Sequence, residues 1–212
     1  MDDRGRCLLG NHSVSSPGEI RDALRRFPRR GIWRWGSRRA VVVVTIITGA
    51  EDPGVLLTGC ADVVRTQPGQ LVLPGRRTDR GKSASASARR ELAEELGMRL
   101  PPESVLGLLD DYQTRVGFVI TPVVVWAGKH SESLSGAHVV VPFADLDVEP
   151  VFVAAPESNH SVIRLPLHGG WLHAPTAAVL YQFREVTLRR RRTRVAHLKE
   201  PLPLPPFPHS AG

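Results

Sequence analysis

The chain has 212 residues, of which 42% are hydrophobic and 23% charged, and a net charge of +7. That profile fits one soluble folded domain with tails, long enough to bury a full core, and excludes a disordered or fibrous chain. Two cysteines without paired spacing, Cys7 and Cys60, suit a reducing cytoplasm rather than a disulfide scaffold, and no apolar segment behind MDDRGR suggests a signal peptide.

Residues 1–15 are polar and read as a flexible N-terminus. From Ser16, the string SPGEIRDALRRF predicts a short capped helix, with Pro17 near its start and Ile20, Leu24 and Phe27 on one face. A connector rich in Trp, Arg and Gly (GIWRWGSRR) leads into AVVVVTIIT from Ala40, too short to span a bilayer and read as a buried strand. The turn EDPG, a second strand VLLT and a long loop, CADVVRTQPGQLVLPGRRTDRG, follow. That loop opens a helix over about Ser83 to Leu96, stopped by Gly97. Next come the strand-like VLGLLDDY and GFVITPVVVWAG, a short VVVPFADL element, VIRLPL, and a helix from Pro175 to about Leu188. The last segment, 201–212, is proline-rich and reads as an extended tail on a domain spanning 16–200. Strands alternating with helices predict an α/β (α+β) fold, a mixed sheet sandwiched between helices.

Much of the positive charge lies in Arg25 to Arg39 and in RRRRTR from Arg189 to Arg194. Such runs favour polyanions, although arginines in a last helical turn are also stabilised by the helix dipole. Aromatic residues are 6% of the chain and read as not interleaved with the basic ones, so neither a base-stacking surface nor a nucleic-acid partner is expected. No membrane partner is expected either.

The chemistry concentrates in RELAEELGM, from Arg90 to Met98. Glu91, Glu94 and Glu95 stand at i, i+3 and i+4 and share a helix face, while Leu92 and Leu96 fall on a stripe that can pack inward. Like charges at this spacing cost a few tenths of a kcal/mol per pair. The C-terminal half of a helix also disfavours anions. A hard cation would offset both costs, since Mg2+ and Mn2+ take oxygen ligands from one or two carboxylates, water and substrate phosphate. Without a cation, the same pattern is a solvated glutamate-rich face.

The string from Leu73 to Met98 resembles the Nudix box, G-x5-E-x7-R-E-U-x-E-E-x-G-U with U aliphatic, and its second half matches at Arg90, Glu91, Leu92, Glu94, Glu95, Gly97 and Met98. VLLTGCADVVRTQPGQLVLPG, DDYQTRVGFVITPVVVWAG and HAPTAAVLYQFREV look like the coenzyme A pyrophosphatase-like subgroup of Nudix hydrolases, so the likeness covers roughly 16–200. The resemblance implies that Glu94 and Glu95 bind Mg2+ or Mn2+, with the backbone carbonyl of Gly75 as a further ligand. It implies that Glu91 is a ligand or the base that activates water, and that Arg90 orients the glutamates by an ion pair. Arg65 and Arg76 are candidates for substrate phosphate. The implied reaction is hydrolysis of the diphosphate linkage in a nucleoside diphosphate derivative, coenzyme A-like or related.

The first half of the box departs from that pattern. Its glutamate position is Lys82, a donor-only side chain that competes with a cation, and its first glycine is Arg76. The arginine of the subgroup's LLTxRS is Cys60, whereas Arg65 and Gly69 match. A later acidic ligand is often present in the subgroup; its position falls on Leu134, with Glu132 two residues away. Asp110 and Asp111 either line the site or form a turn, and Glu157 reads as facing water. The histidines show no ligand spacing, the serines no nucleophile elbow, and Gly81-Lys82-Ser83 lacks the earlier glycine of a phosphate loop. Two functions follow: an active metal-dependent hydrolase, or a catalytically weak Nudix fold that binds a nucleotide.

Overall fold

In the computed structural model, the described residues are 16–49, 52–59, 71–79, 81–129, 138–154, 161–167 and 169–199. Helix α1 (Pro17–Arg26) starts with a reciprocal capping box: the Glu19 amide donates to Ser16 Oγ at 3.3 Å and the Ser16 amide donates to Glu19 Oε2 at 3.2 Å. Its apolar face buries Ile20, Ala23 and Leu24.

The main sheet is built from β1 (Arg38–Thr48), β2 (Pro53–Gly59), β3 (Leu71–Val72), β4 (Gly75–Arg77), β5 (Val105–Leu108), β6 (Tyr112–Gln113), β7 (Phe118–Gly128) and β8 (His138–Pro142). At its centre β1 runs parallel to β7, with Arg38 opposite Phe118 and Val43 opposite Val123. On the other edge of β1 lie β2, with Thr45 opposite Leu56, and β4, with Ala40 opposite Arg77, both antiparallel. Strands β5 and β6 continue from β7, and β3 and β8 from β2. The sheet is therefore mixed, as expected.

Valine-rich runs alternate between two buried faces, as a central strand covered on both sides requires. Val41, Val43, Val123 and Val125 pack with Ala88, Leu92 and Leu96 of helix α2 (Ala84–Glu95). Val44, Ile46 and Val124 belong to the larger core on the opposite face, with Ile20 and Leu24 of α1 and Leu180 and Phe183 of α3 (Thr176–Phe183). A smaller sheet joins β9 (Val151–Ala154), β10 (Ser161–Leu167), β11 (Gly170–His173) and β12 (Leu198–Lys199) beside α3. Among the described residues no helix is long and apolar enough to cross a membrane.

Three local readings are revised. The segment taken as one long loop contains β3 and β4, short strands whose state comes from pairing with β2 and β1. Gly75 permits that close approach, since a Cβ there would lie 2.9 Å from the Val41 carbonyl oxygen. VLGLLDDY breaks between β5 and β6, where Leu109, Asp110 and Asp111 turn inward and are buried. The helix from Pro175 reaches Leu188 as expected, but its last stretch, Arg184–Leu188, is a π turn. Thr187 Oγ1 donates to the Phe183 carbonyl there at 2.7 Å, and the buried Arg184 side chain donates to the Leu146 and Val148 carbonyls.

Candidate active site

Helix α2 lies across the β1/β7 face with its first turn held by Ser83, whose Oγ accepts from the Ala86 amide at 3.2 Å. Gly97 ends it at φ +75°, in the left-handed region, and turns the chain so that Met98 is fully buried under the helix. Because Ala88, Leu92 and Leu96 face the sheet, the glutamates are distributed by helical geometry. Glu91 sits at the edge of the core with 8% exposure, while Glu94 and Glu95 are exposed.

Strand β4 delivers Arg76 to this face. Opposite Val41 in the ladder, its guanidinium bonds to Glu94 Oε2 and lies 3.7 Å from Glu91 Oε2. From within α2, Arg90 Nε donates to Glu94 Oε1 at 2.7 Å, and Arg90 Nη1 donates to Asp79 Oδ2 at 2.8 Å. Glu94 therefore lies between two guanidiniums, and the hydrogen bond from Arg90 first, then that from Arg76, holds its carboxyl below the usual carboxylate range. Glu91 moves the other way. Burial, then the hydrogen bond and charge of Glu95, push its carboxyl up to about 7 against the pull of Arg76.

The set can act on a cation in a definite way. Three carboxylates face two guanidiniums, one of which also neutralises Asp79, so the helix face keeps a negative excess. Its oxygen donors suit a hard cation, and the proton held by Glu91 near neutral pH is one that a cation can displace. Among the described residues no three His, Cys, Asp or Glu side chains already enclose a metal position. These donors fit Mg2+ or Mn2+ bound from one side, with water and phosphate completing the shell.

Of the residues singled out in the sequence, the structure brings together Arg76, Arg90, Glu91, Glu94 and Glu95, with Gly75 next to Arg76 in β4. Lys82 is exposed just before α2, and among the described residues the ion pairs of the glutamates go to Arg76 and Arg90 rather than to Lys82. Arg65, Gly69, Cys7, Cys60, Glu132, Leu134 and Glu157 lie outside the described residues. Asp110 and Asp111 are neither a turn nor part of the glutamate face. Both are buried and bound by arginines and amides of the segment before β1. Sequence reasoning missed Asp79, eleven residues before its partner Arg90 and with no periodic relation to it. It also missed Trp33 and Trp35, which are exposed and flank Arg34 in a WRW string, so aromatic and basic residues do interleave there.

A family model described as NUDIX domain matches residues 36–168. A curated relative called "Uncharacterized Nudix hydrolase NudL", from Enterobacter sp. (strain 638), is 38% identical over 91 residues, 42% of this chain and 46% of that protein. The protein of the same name from Klebsiella aerogenes is 36% identical over 113 residues, 50% of this chain and 92% of that one. For the Enterobacter and Cronobacter sakazakii relatives, this chain spans only about half their length, 46% in each case. A solved Nudix hydrolase from M. smegmatis, RenU, is similar with a TM-score of 0.46 at 21% identity, covering 74% of this chain and 90% of that one. The family match runs over more than half of the sequence, across the sheet and the glutamate helix alike: the chain belongs to the NUDIX family and has its mixed-sheet fold.

Proposed function

We propose that this protein is a metal-dependent diphosphatase that cleaves the P–O–P linkage of a nucleoside diphosphate derivative, coenzyme A-like or a related nucleotide, in the reducing cytoplasm. The observation that carries this reading is the carboxylate face of α2, where Glu91 and Glu94 meet Arg76 and Arg90 with Glu95 alongside. Glu94 and Glu95, with Glu91 and the backbone carbonyl of Gly75, would hold Mg2+ or Mn2+. A cation held by these residues would supply charge neutralisation for the diphosphate and a more acidic attacking water. Acting as the base rather than as a ligand, Glu91 would accept the proton of that water. Arg90 orients Glu94 through its Nε and is itself steadied by Asp79. Arg76 and Arg65 receive phosphate oxygens. The products are a nucleoside monophosphate and the phosphorylated remainder of the substrate. The unit carrying this chemistry runs over 16–200, supported by α1 and α3 packing into the same core as the sheet.

A second reading, a catalytically weak nucleotide-binding module, is favoured by one contact: Arg76 already binds Glu94 and lies beside Glu91, occupying carboxylates that a metal would use. One assay separates the two. The protein is incubated with coenzyme A, NADH, ADP-ribose and nucleoside triphosphates under Mg2+ or Mn2+, and phosphorylated products are followed. Turnover of any of them establishes the hydrolase. No turnover, with nucleotide binding retained, sinks it in favour of the module.

A further inference from the structure

Trp33 and Trp35 are 80% and 89% exposed, the most water-facing large apolar side chains among the described residues. Their rings meet edge to face, with centroids 6.3 Å apart and planes at 81°. Adjacent indoles left in water are an exposed apolar patch of the kind that marks a binding surface.

The backbone carrying them is firmly held. The Ile32 amide donates to Asp111 Oδ2 at 2.9 Å, and Arg39 Nη2 donates to the Ile32 carbonyl at 2.6 Å. Arg29 ties the start of the connector to the Leu109 carbonyl at 2.8 Å and to Asp111 Oδ1 at 2.5 Å. At the other end, Ser37 Oγ donates to the Arg34 carbonyl at 2.9 Å, closing a turn at Gly36 with φ +71°. A segment fixed this thoroughly to a buried aspartate could have tucked its tryptophans away. It presents them instead.

Their position is set by the strand ladder. The Arg39 guanidinium lies 5.9 Å from the centroid of the Trp33 ring. Arg39 shares the α2-facing side of β1 with Val41 and Val43 by the two-residue period of a strand. Val41 pairs with Arg76, whose guanidinium reaches Glu94 and Glu91, and the Thr78 amide donates to the Arg39 carbonyl at 2.9 Å. The indole–guanidinium unit thus begins about 7 Å along β1 from the rung that holds Arg76.

We infer that Trp33 and Trp35, with Arg39, form the stacking subsite for the aromatic base of a nucleotide whose phosphates lie at the glutamate helix. The chemistry selects a planar π-system. Indole faces stack on any base, the Arg39 guanidinium, itself anchored 3.6 Å from Asp111 Oδ2, adds a cation–π partner, and Arg34, exposed between the two indoles, adds positive charge for the phosphates attached to that base. The inference rests on the nucleotide reading of the α2 site, and it specifies which half of the substrate is recognised away from the bond that breaks.

The test uses adenosine 5′-monophosphate and ribose 5-phosphate as probes, titrated into the full chain in the presence of Mg2+ and followed by calorimetry and by tryptophan fluorescence. The first probe should quench fluorescence and bind more tightly than the second. Trp33→Ala should weaken binding of the first by about tenfold, the worth of one stacked base, and Trp33→Phe should restore most of that loss. Ribose 5-phosphate affinity should move by less than about twofold, consistent with a cost confined to stacking. Equal affinity for the two probes, no binding of adenosine 5′-monophosphate, or an unchanged affinity in Trp33→Ala overturns the inference. Should the Trp33→Ala/Trp35→Ala protein instead lose a dimer by light scattering while keeping base affinity, the indoles are a self-association surface and the inference is equally overturned. Because neither probe is hydrolysed, failure here is separable from failure of the hydrolase reading, which shows only as absence of turnover.

Discussion

Two clusters of carboxylates and arginines sit at opposite extremes of satisfaction in this molecule. Asp110 and Asp111, 3% and 2% exposed, have donors on every side. Asp110 accepts from the Arg30 amide at 2.7 Å, from Gln182 Nε2 at 2.9 Å and, on its Oδ1 and Oδ2, from Arg194 Nη1 at 2.7 and 2.8 Å. Asp111 accepts from Arg29, from the Ile32 amide and from Thr121 Oγ1 at 2.8 Å. On α2, by contrast, Arg76 and Arg90 pair with Glu91 and Glu94 only, Glu95 lies against Glu91, and Glu91 rises to about 7 because burial and Glu95 outweigh Arg76. The aspartates are closed: their lone pairs are used in joining the segment after α1 to β7, α3 and the arginine run. The glutamates remain open to a ligand. Charge alone does not mark a functional cluster; unspent hydrogen-bonding and electrostatic capacity does.

That contrast can be broken by mutation. The largest effect is expected at the closed cluster. Asp110→Ala strands Arg194, Gln182 and the Arg30 amide, and should cost about 3–5 kcal/mol in urea unfolding; a loss under about 1 kcal/mol would mean the network is not holding the fold. At the open cluster Glu94→Gln should reduce metal-dependent hydrolysis on the order of a hundredfold or more, while the thermal midpoint stays within about 2 °C, since a surface change there costs little. Retained activity in that variant removes Glu94 from the metal site.

Lys82→Glu restores the missing box carboxylate and should raise the hydrolysis rate severalfold. An unchanged rate would mean that the segment before α2 functions on its present terms. The smallest effect concerns pH. In metal-free protein the Glu91 carboxyl is raised from 4.5 to about 7 by burial and Glu95. The folded state therefore holds the proton more tightly than the unfolded one, so this contribution to stability is full below about 4.5 and lost as pH rises through about 7. Glu91→Gln should lose that dependence and melt about 2–4 °C higher than the parent above pH 7. A melting difference that is the same at pH 5 and pH 8 rejects the assignment.

What was legible in the sequence is what is local. Ser16 and Glu19 announce α1 through a capping box, and Ser83, Gly97 and the leucines at 92 and 96 delimit α2, because caps and periodicity act within a few residues. The departures at Arg76 and Lys82 were also visible, but not where they lead. Arg76 reaches Glu94 only because β4 pairs with β1, a long-range event that no spacing encodes. The aspartate network was invisible for the same reason: Arg29 and Asp111, or Asp110 and Arg194, are about eighty residues apart in the chain. The tryptophans were a failure of averaging. A whole-chain aromatic content of 6% conceals a WRW string whose two indoles both face water.

The parallel pairing of β1 with β7 also sets when the site can exist during synthesis. β4 and α2, which carry Gly75, Arg76 and the glutamates, both lie in the stretch of chain between those strands. As the chain leaves the ribosome, α2 can coil early, but Val123 and Val125, half of the valine floor on which it rests, emerge only after it. The glutamate face is therefore set in place together with the central strands and not before them. A nascent chain ending ahead of Phe118 carries every glutamate of the site, with Arg76, and still lacks the β7 half of the floor on which α2 rests.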